Sequence, residues 1–225
     1  MAWEEWLDVV LPRECAGCAR PGVRWCHGCA GGLGSLVPRL EPSHDDELGL
    51  VAVGGSYEGL LKSAVLAHKR GPQPALRDSL SLLYARTLAV VAGVLRAAGT
   101  WRPPVLMVPV PPSARRPHRW PMVELAPSAC RSSADVHVAP LLVPRRRRRP
   151  QKGLDAHERA RNLSGAWWVD PAGLPTAAGG APRATMLVID DVWTTGASLR
   201  EAVACLRASG VAPVASIVLA RAVGL

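Results

Sequence analysis

The chain has 225 residues, 48% of them apolar, enough for one ordinary domain plus a small appendage. No apolar run approaches the length of a membrane-spanning helix (residues 88–95 form the longest candidate), and the acidic start Met1-Ala-Trp-Glu-Glu-Trp lacks the basic-then-apolar order of a secretory signal, so no membrane span and a cytoplasmic location are expected. The net charge of +9 points toward a polyanion; 24 arginines against three lysines, with no Phe and one Asn, fit a GC-rich genome, but that bias does not explain the excess of cations over acids.

Trp3, Trp6, Leu7, Val10 and Leu11 recur at helical spacing and predict a short amphipathic helix, docked on its own core or on a partner. Cys15-Ala-Gly-Cys18 and Cys26-His-Gly-Cys29 follow. Thiolates at this spacing grip one metal ion, and two such knuckles complete a tetrahedral, structural four-cysteine zinc site. The alternative is a redox disulfide pair, which the cytosol disfavours. His27 lies inside a knuckle and is the weaker ligand candidate. Residues 38–49 are polar and turn-rich, which divides the chain into a helix and zinc module over 1–37, a linker over 38–49 and a larger domain over 50–225.

In that larger domain, residues 50–57 predict a strand and turn, and 60–67 a helix running into His68-Lys69-Arg70-Gly71. A long buried helix is expected over 76–98 and a strand over 104–110, trailed by Arg115, Arg116 and Arg119. A helix over 122–132 is interrupted by Pro127, and a strand spans 136–143. Arg145, Arg146, Arg147, Arg148 and Arg149, with Gln151 and Lys152, form the strongest basic cluster. Asp155 caps a helix to residue 163, which sets Arg159 and Asn162 on one face. A strand over 165–169, a small-residue loop, a strand over 186–189, a helix over 197–209 and a strand over 213–220 complete the chain. Strands alternating with helices predict an α/β fold, a mainly parallel sheet flanked by helices, whose ligands bind beyond the carboxyl ends of the strands.

The most informative stretch is Met186-Leu-Val-Ile-Asp-Asp-Val-Trp-Thr-Thr-Gly-Ala-Ser198. A buried strand delivers Asp190 and Asp191 to its end; Thr194, Thr195, Gly196, Ala197 and Ser198 then turn into a helix N-terminus. Helix N-termini offer N–H groups and a positive dipole end to phosphate. Hydroxyls add donors, Gly196 permits close approach, and the carboxylates suit ribose hydroxyls or hydrated Mg²⁺. The order resembles the phosphoribosyl pyrophosphate (PRPP) signature of the type I phosphoribosyltransferases. A P-loop is excluded, since no Gly-x-x-x-x-Gly-Lys-Ser/Thr occurs. Trp193 fills the variable position, where its bulk bears on how a ligand fits.

Taken with the cysteine knuckles, Lys69-Arg70-Gly71, Val108-Pro-Val-Pro111, Gln151-Lys-Gly-Leu154 and Arg159-Ala-Arg-Asn162, this motif makes nearly the whole chain resemble the ComF family, the ComF/GntX group. The resemblance implies a type I phosphoribosyltransferase-like fold with an N-terminal zinc finger, and the handling of incoming single-stranded DNA during natural transformation. It implies that Asp190 and Asp191 bind the ribose 2′- and 3′-hydroxyls, directly or through Mg²⁺. It further implies that residues 194–198 hold the 5-phosphate, and that Lys69 and Arg70, on a loop before Gly71, meet pyrophosphate. Departures are Arg119-Trp120-Pro121-Met122, where members usually carry an Arg-Gly-aromatic/His-Asn/Asp segment, together with Pro127 and the compact cysteine spacing. The basic clusters are either a grip on a phosphate backbone or solvated loops, and Trp120, Trp167, Trp168 or Trp193 are candidates to stack bases. Three functions compete: a PRPP-binding protein that assists DNA uptake, an active phosphoribosyltransferase of nucleobase salvage, and a zinc-finger module that recruits a helicase or recombination partner beside a vestigial nucleotide site.

Overall fold

The computed structural model describes residues 13–43, 48–112, 121–131, 133–145, 165–174 and 184–222. The elements run α1 (His27–Gly34), β1 (Arg39–Pro42), β2 (Leu50–Ser56), α2 (Gly59–Arg70), α3 (Pro74–Ala97), β3 (Val105–Pro109), α4 (Pro121–Ala129), β4 (Val136–Val138), β5 (Leu142–Pro144), β6 (Trp167–Val169), β7 (Thr185–Trp193), α5 (Ala197–Ala208) and β8 (Ala215–Arg221). Six strands form one sheet in the order β1-β2-β8-β7-β3-β4, parallel except at the β1 edge; β5 and β6 pair antiparallel in a separate hairpin. This is the expected α/β architecture, with the cysteine cluster at its N-terminal end.

Strand polarity decides where each helix packs. The steps β2 to β3 and β3 to β4 run one way across the sheet and carry α2, α3 and α4 to one face. The step β7 to β8 runs the other way and carries α5 to the opposite face, as right-handed crossovers require. Alternate residues of each strand serve the two cores: Leu187 and Ile189 face α2–α4, whereas Met186 and Val188 face α5 and the hairpin. The loops after β3 and β7 therefore diverge, which opens a crevice at their carboxyl ends.

Several details differ from the sequence expectation. Within the span read as a linker, Arg39–Pro42 pairs with β2 as an edge strand. The expected strand over 136–143 is two strands in different sheets, broken at Pro140, whose ring supplies no N–H to a ladder. The helix at Pro127 continues through the proline, which removes one N–H from its ladder, and ends two residues later. Helix α3 is long and apolar enough to cross a membrane by length and composition, yet half of its apolar window is buried inside this fold, where it packs on β2, β8 and α4.

Candidate functional site

Strand β7 outruns its neighbour on one side only. Its pairing with β3 ends at Pro109 opposite Ile189, while its pairing with β8 continues to Trp193 opposite Arg221. Asp190 and Asp191 thus lie on a strand that overhangs the β3 side, at the crevice that the topology opens. The Asp191 N–H donates to Asp190 Oδ1 at 2.8 Å. Burial first, and the Asp191 charge second, push the Asp190 carboxyl up to about 8, with the Asp191 N–H and Lys69 pulling the other way.

Lys69 reaches this pair from the last turn of α2. Its Nζ donates to Asp191 Oδ1 at 2.8 Å and lies 2.8 Å from Oδ2. Lys69 and Arg70 are helical residues rather than part of a loop, and Gly71 follows as the C-cap. Arg70 is exposed. The structure therefore joins Lys69 to the carboxylates and leaves Arg70 at the surface.

The turn after β7 is shaped by Gly196, the residue before α5, at φ +78. A side chain there would be strained, and its Cβ would stand 3.0 Å from Trp193 Nε1. Trp193 is buried with its Nε1 edge against this turn, and so buried a ring is not placed to stack a base. Arg221 covers the Trp193 ring at 4.2 Å and pairs with Glu41 of β1, which also pairs with Arg39 at 2.6 Å. The edge strand thereby buttresses the turn. Thr194 and Thr195 are exposed, Ala197 and Ser198 are half-buried, and the Ala197 N–H donates to Thr195 Oγ1 at 3.4 Å. Arg200 donates to the Thr195 carbonyl at 3.0 Å and closes the turn from the helix side.

The cysteine cluster is a separate centre. One thiol or thiolate sulfur from each of Cys15, Cys18, Cys26 and Cys29 lies within 4.8 Å of all the others. The Cys15–Cys29 and Cys18–Cys26 sulfurs are 3.7 Å apart, far beyond a disulfide bond. A tetrahedron of four sulfurs around zinc, with bonds of about 2.3 Å, has edges of about 3.8 Å, so the donor set fits zinc. Backbone N–H groups of Cys26 and Cys29 donate to the sulfurs of Cys15 and Cys26, each at 3.4 Å. Burial pushes the Cys15 thiol up, but the N–H groups of Gly17, Cys26 and Cys18 outweigh it and hold it at about 6. Cys29 moves the other way, raised by burial and then by its sulfur neighbours. His27 is exposed and outside the cluster. A cleft of about 390 Å³ lies beside this module, between Arg13, Arg24 and Trp25 and the start of α3, away from the carboxylates.

The hairpin β5–β6 shows Trp167 buried and Trp168 41% exposed, the alternation expected of a half-covered strand. Arg145 sits at its loop end, where its N–H donates to the Ala166 carbonyl at 2.9 Å. Glu201, in the first turns of α5, accepts from the N–H groups of Gly165 at 2.7 Å and Ala166 at 3.2 Å. Arg115, Arg116, Arg119, Arg146, Arg147, Arg148, Arg149, Gln151, Arg159 and Asn162, like the expected N-terminal helix and Trp120, lie outside the described residues. Three side chains carried no sequence signal: Glu201, the strap; Tyr84, whose buried hydroxyl faces Cys130 and Asp190 electrostatically; and His68, buried 3.7 Å from Glu124.

No protein-family model matches this chain, and no curated protein matches it.

Proposed function

We propose that this chain is a ComF-like, cytoplasmic phosphoribosyl-binding protein that takes PRPP or a related ligand at the Asp190–Asp191 pair and the turn over 194–198. The observation that carries the reading is the convergence at one crevice of a carboxylate pair on an overhanging strand, a glycine-shaped turn into a helix N-terminus, and a lysine from a distant helix. Each matches one part of a sugar phosphate: a diol for the carboxylates, a 5-phosphate for the turn and a second anionic group for the ammonium. Mg²⁺ would arrive with the ligand's pyrophosphate, held in part by the ligand's own oxygens. Zinc would be the structural metal of Cys15, Cys18, Cys26 and Cys29.

Single-stranded DNA is the proposed second partner. Glu201 ties the loop end of the hairpin to the early turns of α5, and the basic stretch that begins at Arg145 follows β5 in the chain. The affinity of that stretch for a polyanion would fall steeply with salt. Assistance in natural transformation is the process this pairing implies.

Calorimetric titration of the zinc-loaded protein with PRPP and Mg²⁺, beside an Asp190→Asn/Asp191→Asn variant, tests the reading. Saturable binding in the wild type and its loss in the variant are expected. No heat up to millimolar PRPP removes the phosphoribosyl function.

A further inference from the structure

The protein's own fold places a cation on its carboxylate pair. The Lys69 ammonium is 2.8 Å from each oxygen of Asp191, bridging elements 122 residues apart. It sits at the C-terminal end of α2, whose body is fixed by Leu61, Ala64, Val65 and Ala67 in the core, while its side chain is 29% exposed. An ammonium in that seat opposes a second cation by charge and by space. A divalent ion needs carboxylate oxygens at close range and cannot share both Asp191 oxygens with Nζ.

We infer that Lys69 is a latch: it closes the carboxylate pair against divalent cations in the free protein, and an anionic group on the incoming ligand draws it off Asp191 to open the pair to sugar hydroxyls. The inference deepens the phosphoribosyl reading and rests on it for the ligand's identity. A ligand bearing both a diol and a pyrophosphate gives the carboxylates and the ammonium new partners in one event. Ribose supplies only the first, and inorganic pyrophosphate only the second. The latch thus makes the site selective for the combination.

The test uses Mn²⁺ alone as probe, read by the electron paramagnetic resonance of the free ion, on full-length protein preloaded with zinc at the cysteines. Wild type, Lys69→Met and Lys69→Met/Asp191→Asn are compared, with Lys69→Gln as the second variant and thermal melts to confirm that each is folded. Mn²⁺ should bind Lys69→Met on the order of tenfold or more tighter than wild type, and the added Asp191→Asn should abolish the gain. Equal Mn²⁺ affinity in wild type and both Lys69 variants overturns the latch. Because the metal alone is the probe, a positive result beside a failed PRPP titration leaves the latch standing and removes only the ligand.

Discussion

Asp190 is the residue on which stability and function oppose each other. It pairs along β7 with Val218 of β8 and faces Tyr84, whose hydroxyl has no hydrogen-bond partner among the described residues. An ordinary aspartate ionises near 3.8, whereas burial and the neighbouring Asp191 push this one to about 8. Between those values the folded chain holds a proton that the unfolded chain has lost. Stability must therefore fall as pH rises through that window, by at most about 1.4 kcal/mol per pH unit from this group. Below the lower value the penalty is absent, and above the upper one it is complete. Asp190→Asn should be more stable than wild type at pH 8, with the difference shrinking to nothing near pH 4, while ligand binding is lost. Urea unfolding of both proteins from pH 4 to 9 checks this; parallel stability curves would refute the buried-acid account. A residue kept at a cost to the fold is what a binding site requires.

At the scale of elements, the hairpin β5–β6 sets Leu142, Trp167 and Val169 into the core shared with α5, and its open-lying start at residue 165 is tied by the Glu201 carboxylate on two successive N–H groups. Hydrogen bonds to a charged acceptor are worth roughly 1.5–3 kcal/mol each, less where water competes. Glu201→Ala should leave global stability lower by only about 1 kcal/mol. The amides over 165–169 should nonetheless exchange with solvent markedly faster, a change hydrogen-exchange mass spectrometry resolves by segment; unchanged protection there would show that the strap holds nothing. The same elements show what the sequence could and could not reveal. Continuous apolar runs announced β2, β3 and β8, as strands covered on both faces require, and the turn chemistry at Gly196 announced α5, because these are local patterns. Strand β1 was hidden, since Leu40 is its one inward apolar residue and an edge needs no more. The true end of β7 was hidden because two acids suggested a terminus, whereas β8 supplies partners as far as Arg221. The Lys69–Asp191 pair was legible only as two separate motifs. Nothing in local spacing tells that the end of α2 meets the end of β7.

On the scale of the whole molecule, the cysteine module and the sheet share one core. Cys15, Trp25, Cys26, Cys29 and Leu33 belong to the same buried cluster as Leu61, Leu80 and Ile189. Gly17 has no room for a side chain, since a Cβ would lie 2.6 Å from both Cys29 Sγ and Leu60. Trp25 Nε1 donates to Ser79 of α3 at 3.0 Å, and Arg86 of α3 donates to the Gly34 carbonyl. The module therefore packs on α2 and α3, and α2 is the helix that carries Lys69. Metal removal should then be felt by the entire fold. Structural zinc in small peptides is worth roughly 10–16 kcal/mol of folding, and the packing on α2 and α3 would retain part of that. A loss of even about 4 kcal/mol corresponds to roughly 8–16 °C at this chain length. Chelation, or Cys15→Ser, should lower the melting temperature by about that amount in a single transition, and should weaken whatever binds at Asp191 because α2 loosens with its support. Calorimetry decides it: two separated transitions, with the sheet melting at its original temperature after chelation, would mean that the module is an independent appendage and that the shared core contributes nothing to the site.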